Sequence, residues 1–369
     1  MKLLHLADLH LGRRLNGYSL AEDQRAVLAQ MIDMARDCDG VLLCGDLFDK
    51  AQPSAESIRM VSNLLAAISR MGKPVLAVSG NHDCPELVAY CGELLANSGV
   101  YVAPPYRGEL MRHTLTDEYG PVHFWLLPFL KPASVRPWHP SVSACEEAVR
   151  AVLAAAPIDH SQRNVLLTHQ YVSGATAFAS ETPFVGGMEA VGTEAFAGFD
   201  YVALGHLHSP QRLAGGRICY AGSPLKYALD EEHQKKAALL VTLGPKGTLT
   251  LESQPFRPLH DVRTLRGELR TLCNGHSDDY CFAVLTDKGA LLDPLGSLRL
   301  SYPNLLGMSL ENSRTGESAV YADIEAAESM SPLEHFIRFY RAQNNDSSPD
   351  ERQLAILREV ITQAEGEAP

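Results

Sequence analysis

Five short stretches of this 369-residue chain end in side chains that hold metal ions or move protons. They read Asp8-Leu9-His10, Gly45-Asp46-Leu47-Phe48-Asp49, Gly80-Asn81-His82-Asp83, Thr168-His169-Gln170 and Gly205-His206-Leu207-His208. Taken singly, each is bland. Asp8 suits a helix cap, Asn81 a left-handed turn after Gly80, and Asp49 a turn, and a lone histidine at a strand end is usually structural. Together they form a set of carboxylate, imidazole and carboxamide donors suited to Mn2+, Fe2+, Co2+ or Zn2+ rather than Ca2+. The donors are too many for one tetrahedral ion. Two ions roughly 3.5–4 Å apart, bridged by one carboxylate, would use them all. A water held between such ions loses a proton near neutral pH and becomes a strong nucleophile.

Each motif closes an apolar run. The runs cover 2–8, 40–46, 74–83, 164–170 and 201–208, with further ones at 122–128 and 237–243. Apolar runs of this length without alternation predict strands buried on both faces. Between them, Val27, Leu28, Met31, Ile32 and Ala35 fall at helical spacing within 21–37, as do Ile58, Val61, Leu65 and Ile68 within 55–71. Strands alternating with helices predict a layered α/β domain rich in parallel sheet. Ligands in such sheets gather at the carboxyl ends of the strands, where all five motifs fall. Gly205 lets the backbone approach closely beside His206 and His208.

The strand–helix rhythm fades at 253–261, "SQPFRPLHD", which reads as a linker. The expected division is 1–256, then a smaller segment over 257–329, then a helical tail over 330–369. In the tail, Ser331-Pro332-Leu333-Glu334 and Ser348-Pro349-Asp350-Glu351 each read as a capping box with proline at the first helical position. Leu333, Phe336, Ile337 and Tyr340 make one apolar stripe, and Leu354, Leu357 and Ile361 another, with a turn at "NNDS" between them. A groove between two such stripes suits a partner helix.

Composition bounds the rest. At 46% hydrophobic and 21% charged residues, the chain is globular with a substantial core. No run approaches the roughly 18 apolar residues of a membrane span. Asp8 interrupts "MKLLHLADLH" before a signal-peptide core forms. The eight cysteines are scattered without any Cys-x-x-Cys pair, which suits a reducing interior. The expected location is the cytoplasm, with no membrane partner. A net charge of −12 argues against a free-standing, tight nucleic-acid binder, which usually carries a basic face. Nucleic acid stays open as a substrate, because bound cations, basic loops or a partner could supply positive charge.

The ordered series Asp-x-His, Gly-Asp-x-x-Asp, Gly-Asn-His-Asp, a lone His and Gly-His-x-His resembles the signature of calcineurin-like metallophosphoesterases. It runs from Asp8 to His208. "LHLADLHLGRRL", "GDLFDKAQPSAES", "FDYVALGHLHSPQ" and "YAGSPLKYALDEEHQKKAALLV" resemble more closely the SbcD branch, bacterial relatives of double-strand-break repair nucleases. Ala221 stands where that branch is expected to have proline. The resemblance implies an α/β fold, a layered αββα sandwich with a small α/β cap domain and a C-terminal helical pair. By position, it implies that Asp8, His10, Asp46 and His208 hold one metal. Asp46, Asn81, His169 and His206 would hold the other, with Asp46 bridging and manganese as the expected ion. His82 would contact the scissile phosphate or leaving oxygen, Asp83 would orient His82, and Asp49 would stand behind the ligands.

The implied activity is that of a metal-dependent DNA exonuclease on duplex ends and endonuclease on hairpins or single strands, leaving 5′-phosphates. It would work with DNA as substrate and an SbcC-like coiled-coil ATPase gripped by 330–369, and a homodimer stays open. Arg13 and Arg14 are candidates to meet phosphates, with Lys226, Lys235 and Lys236 as weaker ones. Two other readings compete: a phosphodiesterase or phosphatase on small molecules or proteins, and a non-catalytic DNA-binding scaffold. The complete donor set speaks against the scaffold, and the segments after 257 speak against the small-substrate enzyme.

Overall fold

The apolar runs become strands whose residues are buried almost throughout. In the computed structural model, Lys2–Leu6, Gly40–Cys44, Val75–Val78, Arg163–His169 and Tyr201–Gly205 have hardly an accessible side chain. The structure describes all residues except 179, 181–189, 288, 290, 312–330, 344–346 and 367–369. Two six-stranded sheets carry the first unit, Met1–Val262. The first runs Leu249–Pro255, Ala237–Leu243, Lys2–Leu6, Gly40–Cys44, Val75–Val78, Val100–Val102, parallel from Lys2–Leu6 onward. The second runs Gln211–Leu213, Ile218–Tyr220, Tyr201–Gly205, Arg163–His169, Gly120–Leu127, Met111–Asp117, with its four central strands parallel.

The sheets face each other across one core. Leu3, Leu42, Cys44, Leu76 and Val78 from the first meet Phe124, Leu126, Val165, Leu167 and Ala203 from the second. Each such fully buried aliphatic or aromatic side chain contributes about 1.5–3 kcal/mol. Helices cover the outer faces. Ala55–Arg70, capped by Ser54 accepting from the Ser57 N–H at 3.1 Å, packs on Val75–Val78 and touches Ala21–Ala35. On the other side, Ala148, Val149 and Val152 of Cys145–Ala155 pack on Trp125, Leu166 and Val202. The layers are therefore helix, sheet, sheet, helix, the αββα arrangement.

The structure corrects two local expectations. The buried stripe of Ala55–Arg70 is Met60, Val61, Leu64 and Ile68, and Ile58 is 43% exposed. The stretch 253–261 is no loose linker. Its first residues finish the strand Leu249–Pro255, Phe256 is buried, Arg257 exchanges hydrogen bonds with the Gln30 carboxamide (2.8 and 2.9 Å), and the His260 N–H donates to Asp23 at 2.8 Å. Edge strands such as Met111–Asp117 leave no apolar run in the sequence, because half-exposed residues break it.

The second compact unit begins at Arg263. Its three-stranded sheet, Val262–Gly267, Tyr280–Leu285 and Leu305–Leu310, packs with helix Pro294–Ser301 around Cys281, Ala283, Leu285, Leu298 and Tyr302. The expected boundary at 329/330 lies outside the described residues, as do Asn344, Asn345 and Asp346 of the expected turn. Helix Pro332–Gln343 opens on the expected box: the Ser331 N–H donates to Glu334 at 2.8 Å, and the Glu334 N–H returns to Ser331 Oγ at 3.3 Å. The next helix, Glu351–Gly366, is capped two residues later than expected. Asp350 and Gln353 form its box, each backbone N–H donating to the other's side chain at 2.9 and 2.8 Å. Asp-x-x-Gln serves the helix as well as Ser-x-x-Glu does, and Pro349 then precedes the cap. Leu333, Phe336, Ile337, Tyr340, Leu354, Leu357 and Ile361 are all half-buried, and the two helices touch.

Candidate metal centre

The carboxyl ends of the parallel strands in both sheets bring the motif residues together. Asp8 and His10 follow Lys2–Leu6, Asp46 follows Gly40–Cys44, and Asn81 and His82 follow Val75–Val78. From the second sheet, His169 ends Arg163–His169, and His206 and His208 follow Tyr201–Gly205. The chain turns sharply where it delivers them: Asp8, His10, Asp46 and His206 have φ of 54°, 41°, 51° and 105°. Non-glycine residues in this region cost about 1–3 kcal/mol each and persist where surrounding structure holds them. Glycines make room between the sheets. A Cβ on Gly205 would lie 1.9 Å from the Cys44 carbonyl oxygen, and one on Gly80 would lie 2.1 Å from Asp46 Oδ1.

Asp46 is common to two clusters. Ligand atoms of Asp8, Asp46 and His169 lie within 4.8 Å of one another, as do those of His10, Asp46 and His82. His208 reaches the second cluster, its Nε2 standing 3.2 Å from Nε2 of His10. Asn81 Oδ1 stands 3.0 Å from both His169 Nε2 and His206 Nδ1. The His206 N–H donates to Asp8 at 3.0 Å.

The donor set fits divalent cations. His169 donates from Nδ1 to the Cys44 carbonyl at 2.8 Å, which leaves Nε2 of the neutral ring a bare acceptor. That atom faces two more acceptors, Asp46 Oδ2 at 3.3 Å and Asn81 Oδ1. Nε2 of His10 likewise faces Asp46 Oδ2 at 3.6 Å and Nε2 of His208 at 3.2 Å. Acceptors converging on acceptors call for a cation between them. Burial pushes Asp8 up to about 7, despite the pull of His169 and His208. Burial opposes the charge on Asp46, yet His169, His10 and His82 hold it well below the usual carboxylate range. Burial also opposes a charged His169, but Asp46 and Asp8 outweigh it and lift the pKa to about 9, so that a proton on Nε2 takes the place a cation would fill. Burial and the neighbouring His169 drop His206 to about 3.

The residues around the ligands differ from expectation. Asp83 does not orient the His82 ring. Its oxygens take the backbone N–H groups of Gly80 (2.9 Å), Phe48 (3.0 Å) and Leu47 (3.2 Å), so it ties two ligand loops together. The His82 ring is instead fixed by Nδ1 donating to the Asp49 carbonyl oxygen at 3.0 Å. The Asp49 carboxylate accepts from Arg13 at 2.9 Å, and the Arg14 guanidinium bonds the Gly17 carbonyl. Lys226 pairs with Asp261 at 2.8 Å. Lys236 is buried among Glu231 (2.6 Å), Ser223 (2.8 Å) and the His208 carbonyl oxygen (2.9 Å).

Glu231 carries no signal in the sequence. Fully buried, it meets His208 Nδ1 at 2.7 Å and accepts from Lys236. Burial opposes its charge, but His208 and Lys236 hold its pKa at about 2. The carboxylate orients His208 with its other nitrogen toward His10, as carboxylates behind metal-binding histidines do.

A chain of this geometry is a phosphoesterase: the calcineurin-like phosphoesterase family profile matches residues 1–210, and the chain belongs to that family. It is an enzyme that hydrolyses phosphodiesters, and its family uses divalent metals. More particularly, residues 255–344 match SbcD_C, the type 5 capsule protein repressor C-terminal domain. The chain is similar to the SbcD subunit of the SbcCD nuclease of Staphylococcus epidermidis, 28% identical over 351 residues that cover 92% of this chain and 93% of that one. Among solved structures it is similar to TT1561 of Thermus thermophilus, 14% identical with a TM-score of 0.38, covering 68% of this chain and 98% of that one.

Proposed function

We propose that this chain is the nuclease subunit of an SbcCD-type complex, a metal-dependent exonuclease on duplex ends and endonuclease on hairpins or single strands. The likeness to a nuclease subunit over nearly the whole length of both chains carries this reading, since it includes the segments after 257 that a small-substrate phosphodiesterase does not need. Asp8, His10, Asp46 and His208 would hold one ion and Asp46, Asn81, His169 and His206 the other, with manganese the first ion to try. When bound, the ions would polarise the attacking water and the phosphoryl oxygens. His82 Nε2 faces the leaving 3′-oxygen as a hydrogen-bond donor or acid, with the Asp49 carbonyl holding its Nδ1–H. Asp83 keeps the loops carrying Asp46 and His82 at fixed spacing.

The test is direct. Purified protein with manganese should shorten duplex DNA and open hairpins, and EDTA should stop both. Protein that hydrolyses bis(p-nitrophenyl) phosphate yet leaves every DNA intact would transfer the site to the small-substrate reading. Glu231→Gln removes the charge behind His208 and should weaken manganese binding about 10–100-fold, measured by calorimetry. Unchanged affinity would remove Glu231 from the centre.

We assign 1–256 to the nuclease domain, 257–329 to selection of DNA shape and 330–369 to the coiled-coil ATPase. Exposed Phe339, Ile356 and Val360 on the tail helices support the last assignment. Deleting 330–369, or combining Phe336→Asp with Leu357→Asp, should leave metal content intact and abolish co-purification with the ATPase. A tailless protein that still binds it at full affinity refutes the assignment. The eight cysteines are all free, in keeping with a cytoplasmic location, and no helix of the described residues is long and apolar enough to cross a membrane.

A further inference from the structure

We propose that Trp138 is a stacking platform for an unpaired base of the substrate strand, a reading that rests on the nuclease function above. The chain has two tryptophans. Trp125 is 1% exposed and donates to Asn164 at 2.9 Å, as a core indole should, whereas Trp138 is 44% exposed. Its exposure is not looseness. The Trp138 backbone N–H donates to the Val135 carbonyl at 3.0 Å, and its ring meets Tyr106 edge-on at 5.5 Å. The Tyr106 hydroxyl is itself held by His139 at 3.0 Å. The indole also lies against Gly108, where a Cβ would come within 2.5 Å of it. A rigid, presented aromatic ring is the surface on which bases stack, and stacking tolerates any sequence because every base has a π-face.

Its place in the fold connects it to the metal centre. Residues 103–109 leave the carboxyl end of Val100–Val102, and residues 128–142 leave that of Gly120–Leu127, the edge that also carries the ligands. Phe129, at the start of the second loop, donates its N–H to the Ser79 carbonyl at 2.9 Å, and its ring lies 6.2 Å from His169 and 6.5 Å from His206. Positive charge exceeds negative on the two loops, which together carry Arg107, Lys131 and Arg136 against Glu109. In a chain of net charge −12, residues 128–142 include Lys131 and Arg136 but no aspartate or glutamate. Exposed Lys131, and Arg107 on the facing loop, make no side-chain hydrogen bond or ion pair among the described residues. The occupant these features fit is a single strand, its phosphates near the cations and one base on the indole.

The test uses full-length protein in EDTA, titrated with a short oligothymidylate while tryptophan fluorescence is followed. Binding should quench the signal, because only Trp138 is accessible. Trp138→Ala should raise Kd about tenfold and abolish the quench. Trp138→Phe should recover most of the affinity without the quench. Wild-type protein that binds and cuts the strand with no quench, or Trp138→Ala protein with wild-type affinity, overturns the platform and leaves the nuclease reading standing. Protein that neither binds nor cuts DNA but hydrolyses bis(p-nitrophenyl) phosphate overturns both. An indole that takes up a protein segment and never DNA also overturns the platform.

Discussion

Asp46→Ala protein will lose both metal equivalents, or hold a single ion loosely, and its phosphodiesterase activity will fall by more than about 10³-fold. Asp46 is the one carboxylate shared by both clusters, so its removal takes a charge from each ion at once. The damage extends to the loop behind it, because Asp46 Oδ1 accepts the His82 N–H at 2.8 Å. Fold should survive, since the side chain belongs to the strand-end cluster and not to the inter-sheet core. Elemental analysis beside circular dichroism reads the result. A folded variant that keeps two tight equivalents would refute Asp46 as the bridge.

His82→Ala should do the opposite to metal content and nearly the same to rate. The variant keeps its backbone N–H for Asp46, so the bridge is undisturbed, and kcat should fall about 10²–10⁴-fold through loss of a donor to the leaving oxygen. The competing role is real: a ring nitrogen of His82 lies within ligand reach of His10 and Asp46. Metal content separates the two roles. If the variant loses one equivalent, His82 is a ligand and not the group that meets the substrate. A substrate with an activated leaving group, such as p-nitrophenolate, should recover part of the lost rate only if His82 assists departure.

The candidate ligands are legible because each sits in a short motif at the end of an apolar run, and such ends converge in any layered parallel sheet. What surrounds them is not. Glu231 hides in "LDEEHQKK", where five charged residues look equally solvated, yet Glu231 is fully buried. Lys235 and Lys236 are adjacent and identical in type, but the first is exposed and the second is caged by Glu231, and only the turn of the chain decides which. Asp83 misleads because adjacency suggests a side-chain partner, when its nearest demands are three unsatisfied backbone N–H groups. The cap at Asp350 is obscured because Ser348 matches a familiar pattern two residues too soon. Short edge strands such as Gln211–Leu213 carry too few residues to show a period.

The seam between the sheets has a kinetic consequence. His169 of one sheet bonds Cys44 of the other across 125 residues of sequence, and His206 bonds Asp8 across 198. These contacts close very long loops, so they form only after both sheets have folded and docked. An ion that recognises the finished arrangement therefore has nothing to bind in the folding transition state. It should act as a brake on unfolding: in stopped-flow measurements, rising manganese slows the unfolding limb while the refolding limb stays where it was.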